Sequence, residues 1–257
     1  MTTMPFRTRV VVLLAFVIAP LLLSSCTQFY QILPRWADGQ NVLQNGSFED
    51  GTGPDGPFKP GSYGFMSLLP GSTTIPSWTV TGTAGGVDVA WFQNGPPNQW
   101  VPNAATDGSH FLDLTGSNDK RGPDKHFGGV TQAFPTVVDF DYHVFLDIGV
   151  FNNTSNPVRN FHGPISVIVG WSGPNRENYS EQICGPWNPT AEGAQWQTCD
   201  LRFRARSANT TVWIYGGGPL PQDPGTDAKY IGLDNVKVQC DAPLANHADC
   251  TPAFSLR

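Results

Sequence analysis

Charge is what this sequence has least of. Asp, Glu, Lys and Arg make up 14% of its 257 residues, where about 25% is usual for a globular chain. The few charges lean acidic, with 15 Lys and Arg against 21 Asp and Glu. If the N-terminal segment carrying Arg7 and Arg9 is removed, as argued below, the balance becomes 13 against 21. That argues against a nucleic-acid binder, which needs a basic stripe to neutralise phosphates. Helical patterning is missing too. There is no amphipathic run of convincing helical length, and the chain carries 28 Gly and 23 Pro, the poorest helix formers, which argues against a helical bundle. Enzyme signatures are also absent: no G-x-S-x-G elbow, H-E-x-x-H, P-loop or G-x-G-x-x-G. The five His are scattered at 110, 126, 143, 162 and 247, without a ligand-like pair. What the chain does have is aromatic bulk. Eight Trp and sixteen Phe suffice for a core and argue against disorder. These features together predict an all-β protein with many turns and long loops, as one large domain or two small ones.

The N-terminus supplies an address. Met1–Arg9 carries two Arg and no acid, and Val10–Leu23 is apolar except at Pro20. This is the layout of an export signal, too short to span a bilayer comfortably. It ends Leu23-Ser24-Ser25-Cys26, which resembles a bacterial lipobox. The resemblance implies a lipid on Cys26, removal of residues 1–25, and anchoring at the cell envelope, the outer membrane in a Gram-negative host given Thr27 at the next position. The alternative is an ordinary signal peptide and a secreted product.

Setting Cys26 aside leaves Cys184, Cys199, Cys240 and Cys250, which allow three connectivities. Nearest-neighbour pairing, Cys184–Cys199 and Cys240–Cys250, closes two short loops and is the expected one. A zinc site is disfavoured because there is no C-x-x-C and His247 is the only His nearby. Cystines imply an oxidising compartment, consistent with export.

Residues 26–40 read as a tether, 41–240 as one β-sandwich and 241–257 as a tail pinned by Cys250. Within the sandwich, apolar or alternating runs predict strands at 41–44, 77–81, 87–92, 110–114, 129–134, 141–150, 165–171, 195–206, 210–216 and 230–238. In Leu201–Arg206, Leu201, Phe203 and Ala205 share one face, with Arg202, Arg204 and Arg206 on the other. Tyr142, Val144, Leu146, Ile148 and Val150 share a face, with Asp147 opposite. Three Gly/Pro-rich stretches, 51–76, 94–108 and 216–227, are too long for plain turns and are candidates for functional loops.

Several motifs then fall in a telling order: Asn45-Gly46-Ser47-Phe48-Glu49 early, Ile75-Pro76-Ser77-Trp78, Gly86-Val87-Asp88, Phe111-Leu112-Asp113-Leu114, Gly129-Val130-Thr131-Gln132, and Leu233-Asp234-Asn235-Val236 near the end. This order resembles the cell-wall-associated family known as domain of unknown function 642, over residues 41–240. The resemblance implies a jelly roll of the galactose-binding-like superfamily, a group that includes many carbohydrate-binding modules. It also implies a structural calcium held by Glu49 and Asp234, with Asn45 and backbone carbonyls completing the shell.

Sugar-binding surfaces stack flat aromatic rings on pyranose faces, with amides at the edges. The stretch from Trp91 to Trp100, interrupted by Gly95-Pro96-Pro97, is the most suggestive. Trp91, Phe92, Asn94, Trp100 and Trp171 are therefore the candidate ligand-binding residues, against the simpler possibility that each ring packs under a loop. Trp78 reads as core. The three Arg could meet an acidic glycan, but such a ridge is more often a solvated strand face. A hidden carboxylate pair among Asp88, Asp107, Asp113 and Asp147 would be needed for a glycosidase. The expected protein is a non-catalytic lipoprotein that binds a cell-wall or matrix polysaccharide, with membrane contact through its lipid and no nucleic acid. The alternatives are a protein-interaction module and a glycan-active enzyme. Glycan identity and oligomeric state are not legible.

Overall fold

Alternation of apolar and polar residues dictates two-sided strands, and two sheets result. The computed structural model describes residues 41–53, 56–61, 64–82, 87–94, 105–117, 127–152, 165–170, 179–185, 193–217 and 230–241. Their regular structure consists of eleven strands: β1 (Phe65–Leu68), β2 (Thr79–Thr81), β3 (Val89–Gln93), β4 (His110–Asp113), β5 (Gly129–Pro135), β6 (Asp141–Asn152), β7 (Ile165–Gly170), β8 (Tyr179–Cys184), β9 (Gly193–Arg204), β10 (Asn209–Gly216) and β11 (Gly232–Cys240). A six-stranded sheet runs β1-β3-β4-β11-β6-β9 and a five-stranded sheet runs β2-β5-β10-β7-β8. Every pairing is antiparallel. The fold is thus an all-β sandwich of jelly-roll type.

The inner faces are the ones the alternation predicts. Tyr142, Val144, Leu146, Ile148 and Val150 from β6 are all buried, as are Leu201 and Phe203 from β9 and Leu233, Val236 and Val238 from β11. They meet Val130, Phe134, Val167, Val212 and Ile214 of the other sheet in one continuous core. Trp78 is in that core, and its indole N–H donates to Asn45 O at 2.8 Å.

Cys184 of β8 and Cys199 of β9 are disulfide-bonded, stapling the edge of one sheet to the edge of the other. Cys240 is also disulfide-bonded. Its partner lies outside the described residues, as do both Cys26 and Cys250.

The predicted strand at 41–44 does not form. Val42 N still donates to Val238 O, but Val238 N donates to the Asn41 side-chain oxygen rather than to backbone. The Asx side chain thus replaces a ladder bond. Two strands, β1 and β8, arise where none was predicted. The export segment, lipidation at Cys26, the tether and the 242–257 tail lie outside the described residues.

Candidate functional site

The six-stranded sheet has a second face, turned away from the main core, and its residues follow from parity. In β3, Val89 and Trp91 point inward, so Ala90 and Phe92 point outward. By register, Phe65 of β1 lies opposite Phe92, and Phe92 opposite Phe111 of β4. In β9, Leu201 and Phe203 face the core, which places Trp196, Thr198, Asp200 and Arg202 outward. Phe65, Phe92, Phe111 and Trp196 form an aromatic row, with centroid separations of 5.1, 5.3 and 5.9 Å. The Phe92 and Phe111 rings are stacked, and Trp196 meets Phe111 edge-on.

The last contact needs explaining, because β11 and β6 intervene between β4 and β9. At about 4.8 Å per strand the gap is roughly 14 Å. Two glycines let it close. Gly232 of β11 lies opposite Gly149 of β6, and Gly149 opposite Trp196. A Cβ at Gly149 would be 2.8 Å from the Trp196 ring and 2.8 Å from Tyr230 Oη. Trp196 and Tyr230 therefore lie in a trough that the two missing side chains open. Phe92, Phe111 and Tyr230 are buried, while Phe65 and Trp196 are partly exposed at the two ends.

Carboxylates flank this row. Asp88 accepts from Ser67 Oγ and Ser117 N, and Asp113 from Thr115 N and Oγ1 and Ile231 N. Asp147 accepts from Thr198 Oγ1 at 2.6 Å and Asn235 Nδ2 at 3.0 Å. The Tyr230 hydroxyl has no hydrogen-bond partner among the described residues. Burial, then the charges of Asp113 and Asp234, hold its pKa well above the ordinary tyrosine value.

A second constellation sits at the end of the sandwich where the chain's first described residues meet β11. Asn45 takes a left-handed conformation, which Asn tolerates, and so does Phe48 (φ 59°), where a bulky residue is strained. Phe48 is held there by full burial against Trp78, at 5.4 Å. The turn delivers Glu49 onto residues 109–110. Its carboxylate accepts from Ser109 N and Oγ, from His110 N, and engages His110 Nδ1 at 2.9 Å. Burial pushes the Glu49 carboxyl up, but these four bonds outweigh it and its pKa lies below the ordinary value. Asp234, fully buried, grips the same segment from β11. Its Oδ2 accepts from Thr106 N, Thr106 Oγ1 and Asp107 N, and its Oδ1 from Asn235 N. Burial dominates these hydrogen bonds and raises its pKa to about 6.

These two carboxylates were the expected calcium ligands. In this arrangement protein donors occupy both, and Asn45 spends its amide on Asp50 N, Asp50 O and Pro76 O. No group of three or more His, Cys, Asp or Glu side chains with metal-holding geometry occurs among the described residues. Glu49 and Asp234 anchor the 106–110 segment by hydrogen bonds, while Asn45 ties its own turn to Asp50 and Pro76.

The predicted ligand-binding residues divide. Trp91 is a correction: it lies on the inner face of β3, completely buried, with Phe58 against its ring at 4.7 Å. Strand parity, not loop geometry, sets its direction. Phe92 does face outward, within the aromatic row. Asn94 ends the strand and receives Ala105 N at 2.8 Å, bridging the ends of the intervening segment. Trp100 and Trp171 lie outside the described residues. Phe65, Phe111, Trp196 and Tyr230 were missed. Their signal was available for Trp196, which shares parity with the outward Arg202 and Arg204. Those arginines are solvated: Arg204 donates to Asp139 O at 2.8 Å and Arg206 lies 3.5 Å from Asp139 Oδ1. Among the described residues no helix is long and apolar enough to cross a membrane.

No protein-family model matches the chain, and no curated protein sequence matches it. Solved structures do resemble it in fold. An apo cyclase from Fischerella sp. shares 12% identity, covering 78% of this chain and 95% of its own, with a TM-score of 0.50. A structure described as "CBM4 structure and function" shares 13% identity over 77% of this chain and 99% of its own, TM-score 0.41. A third, TmCBM61 in complex with β-1,4-galactotriose, shares 18% identity over 79% of this chain and 99% of its own, TM-score 0.38. At such identities the likeness is one of fold alone.

Proposed function

We propose that this protein is a non-catalytic, exported, lipid-anchored domain that binds polysaccharide on the outer face of its six-stranded sheet. The observation that carries the proposal is the row Phe65–Phe92–Phe111–Trp196 on a face that contributes nothing to the main core. Phe65 and Trp196, partly exposed at the two ends of the row, offer ring faces on which pyranoses stack, the buried Phe92 and Phe111 hold their spacing, and carboxylates at the edge bond the sugar hydroxyls. The order of motifs shared with the cell-wall-associated family supports this reading. Two solved structures of similar fold concern carbohydrate-binding modules, by their descriptions, and agree with it without adding weight of their own. The reading without catalysis is supported by Asp88 and Asp113, which accept bonds from several neighbouring protein donors and so serve local structure.

Pull-down on insoluble polysaccharides, with wild type and Trp196→Ala, tests the reading. Trp196 is partly exposed, so the variant should fold, and binding should fall at least tenfold. Retention of a folded wild type by no polysaccharide would instead favour a protein-interaction module. Export and lipidation have their own test: Cys26→Ala should abolish incorporation of labelled fatty acid.

A further inference from the structure

The electrostatics of the aromatic face point to a kind of glycan. The outer face of the six-stranded sheet carries Asp88, Asp113, Asp141, Asp147, Asp200 and Asp234, against Lys237 of β11 and Arg202 and Arg204 of β9. Asp147 is the informative one. It is buried, it accepts only from neutral donors, Thr198 Oγ1 and Asn235 Nδ2, and no described cation lies within ion-pair distance of it. A carboxylate removed from water without a counter-charge is costly. Two residues along β9 from Thr198 lies Trp196, on the same face. The separation is about 7 Å along the strand, a span that a sugar stacked on the indole crosses to reach Asp147 with one substituent.

Two orphaned polar atoms mark the same place. Asn235 Oδ1 is buried with no donor, although the amide's other end is committed to Asp147. Tyr230, 1% exposed, reaches over the paired glycines, where the charges of Asp113 and Asp234 act on it, and its hydroxyl has no partner among the described residues. One acceptor, one hydroxyl and one uncompensated carboxylate beside an indole match a group that is cationic and donates several hydrogen bonds. An ammonium has three donors and is drawn to an aromatic face.

We propose that the glycan recognised on this face carries a protonated amine, as in glucosamine units, seated on Asp147 and Asn235 with its ring against Trp196. This rests on the carbohydrate reading above. The test compares glucosamine oligomers with N-acetylglucosamine and cello-oligomers of equal length, by titration calorimetry on the full-length protein at low and high salt. Glucosamine oligomers should bind about tenfold tighter or better at low salt, and the advantage should shrink as salt rises. Asp147→Asn should erase the preference, bringing glucosamine oligomers down to the affinity of the neutral ones, and Trp196→Ala should weaken all three. The wild-type comparison needs no variant to fold. Equal affinity for the amine and its acetylated form, with binding still sensitive to Trp196→Ala, would overturn the amine proposal and keep the polysaccharide reading. Binding of none of the three would overturn the amine proposal, and the pull-down on insoluble polysaccharides then decides the broader reading separately.

Discussion

At Gly232 a methyl group would lie 2.3 Å from Tyr230 Oη and 2.9 Å from the Cα of Gly149. The second contact is backbone, so no rotamer change relieves it. Gly232→Ala should destabilise the fold by about 1–3 kcal/mol, read as a lower urea midpoint. Combining it with Tyr230→Phe should restore only part of the loss. Tyr230→Phe alone behaves differently. It deletes a buried hydroxyl without a partner, so stability should hold or rise by about 1 kcal/mol. A loss of more than that would show that the hydroxyl is satisfied in solution. At this scale the sequence was partly legible. Phe92 stands out as an aromatic near a loop and does line the row, but Trp91 beside it points the opposite way. Adjacent strand residues cannot both face a ligand, and only the register of β3 against β1 and β4 says which one does. The glycines that let Trp196 lean across two strands carry no chemical signal, and their meaning appears only once β6 and β11 are paired.

Elements were more legible than residues. Period-two alternation locates β6, β9 and β11 because one of their faces carries a run of apolar residues and the other is mostly polar or charged. β1 and β8 escaped for a physical reason. Phe65–Leu68 is a short edge strand inside a Gly/Pro-rich stretch, and Tyr179–Cys184 is an edge strand whose Ser180 and Glu181 are exposed, so neither shows a long apolar stripe. The Cys184–Cys199 bond, expected from spacing, joins β8, which alternation missed, to β9, which it located. It spans a sequence separation of 15 and crosses between sheets, so its removal frees an edge. Loop-closure entropy for that length is about 3 kcal/mol. The double variant Cys184→Ala, Cys199→Ala should lose roughly that much, measured by denaturant unfolding without reductant. An unchanged midpoint would mean that the two sheets hold β8 in place without the cross-link.

Across the whole molecule, the beginning of the sandwich and its final strand are fastened to each other and to one intervening segment. Val236 N donates to Gly46 O, and a Cβ at Gly46 would sit 1.9 Å from Val236 O. From these two ends, Glu49 and Asp234 reach the same 106–110 stretch. The two carboxylates carry opposite pH signatures. Glu49 has a folded pKa below its ordinary 4.5, so its contribution is present above that value and disappears as pH falls through the folded one. Asp234 has a folded pKa of about 6 against 3.8. Its protonated form favours folding, fully below 3.8, and that contribution is lost as pH rises through about 6. The difference corresponds to stabilisation on the order of 3 kcal/mol at most. Lowering the pH from 7 to 5 should therefore raise the urea midpoint through Asp234, and lowering it further should reduce the midpoint as Glu49 protonates. Asp234→Asn should flatten the upper limb and Glu49→Gln the lower one, each leaving the other in place. The comparison between variants isolates these groups, because every other titratable side chain is common to the three proteins. A wild-type curve that falls steadily from pH 7 to 5, with Asp234→Asn falling in parallel, would mean that Asp234 stays ionised in the fold. Its four hydrogen bonds would then outweigh its burial.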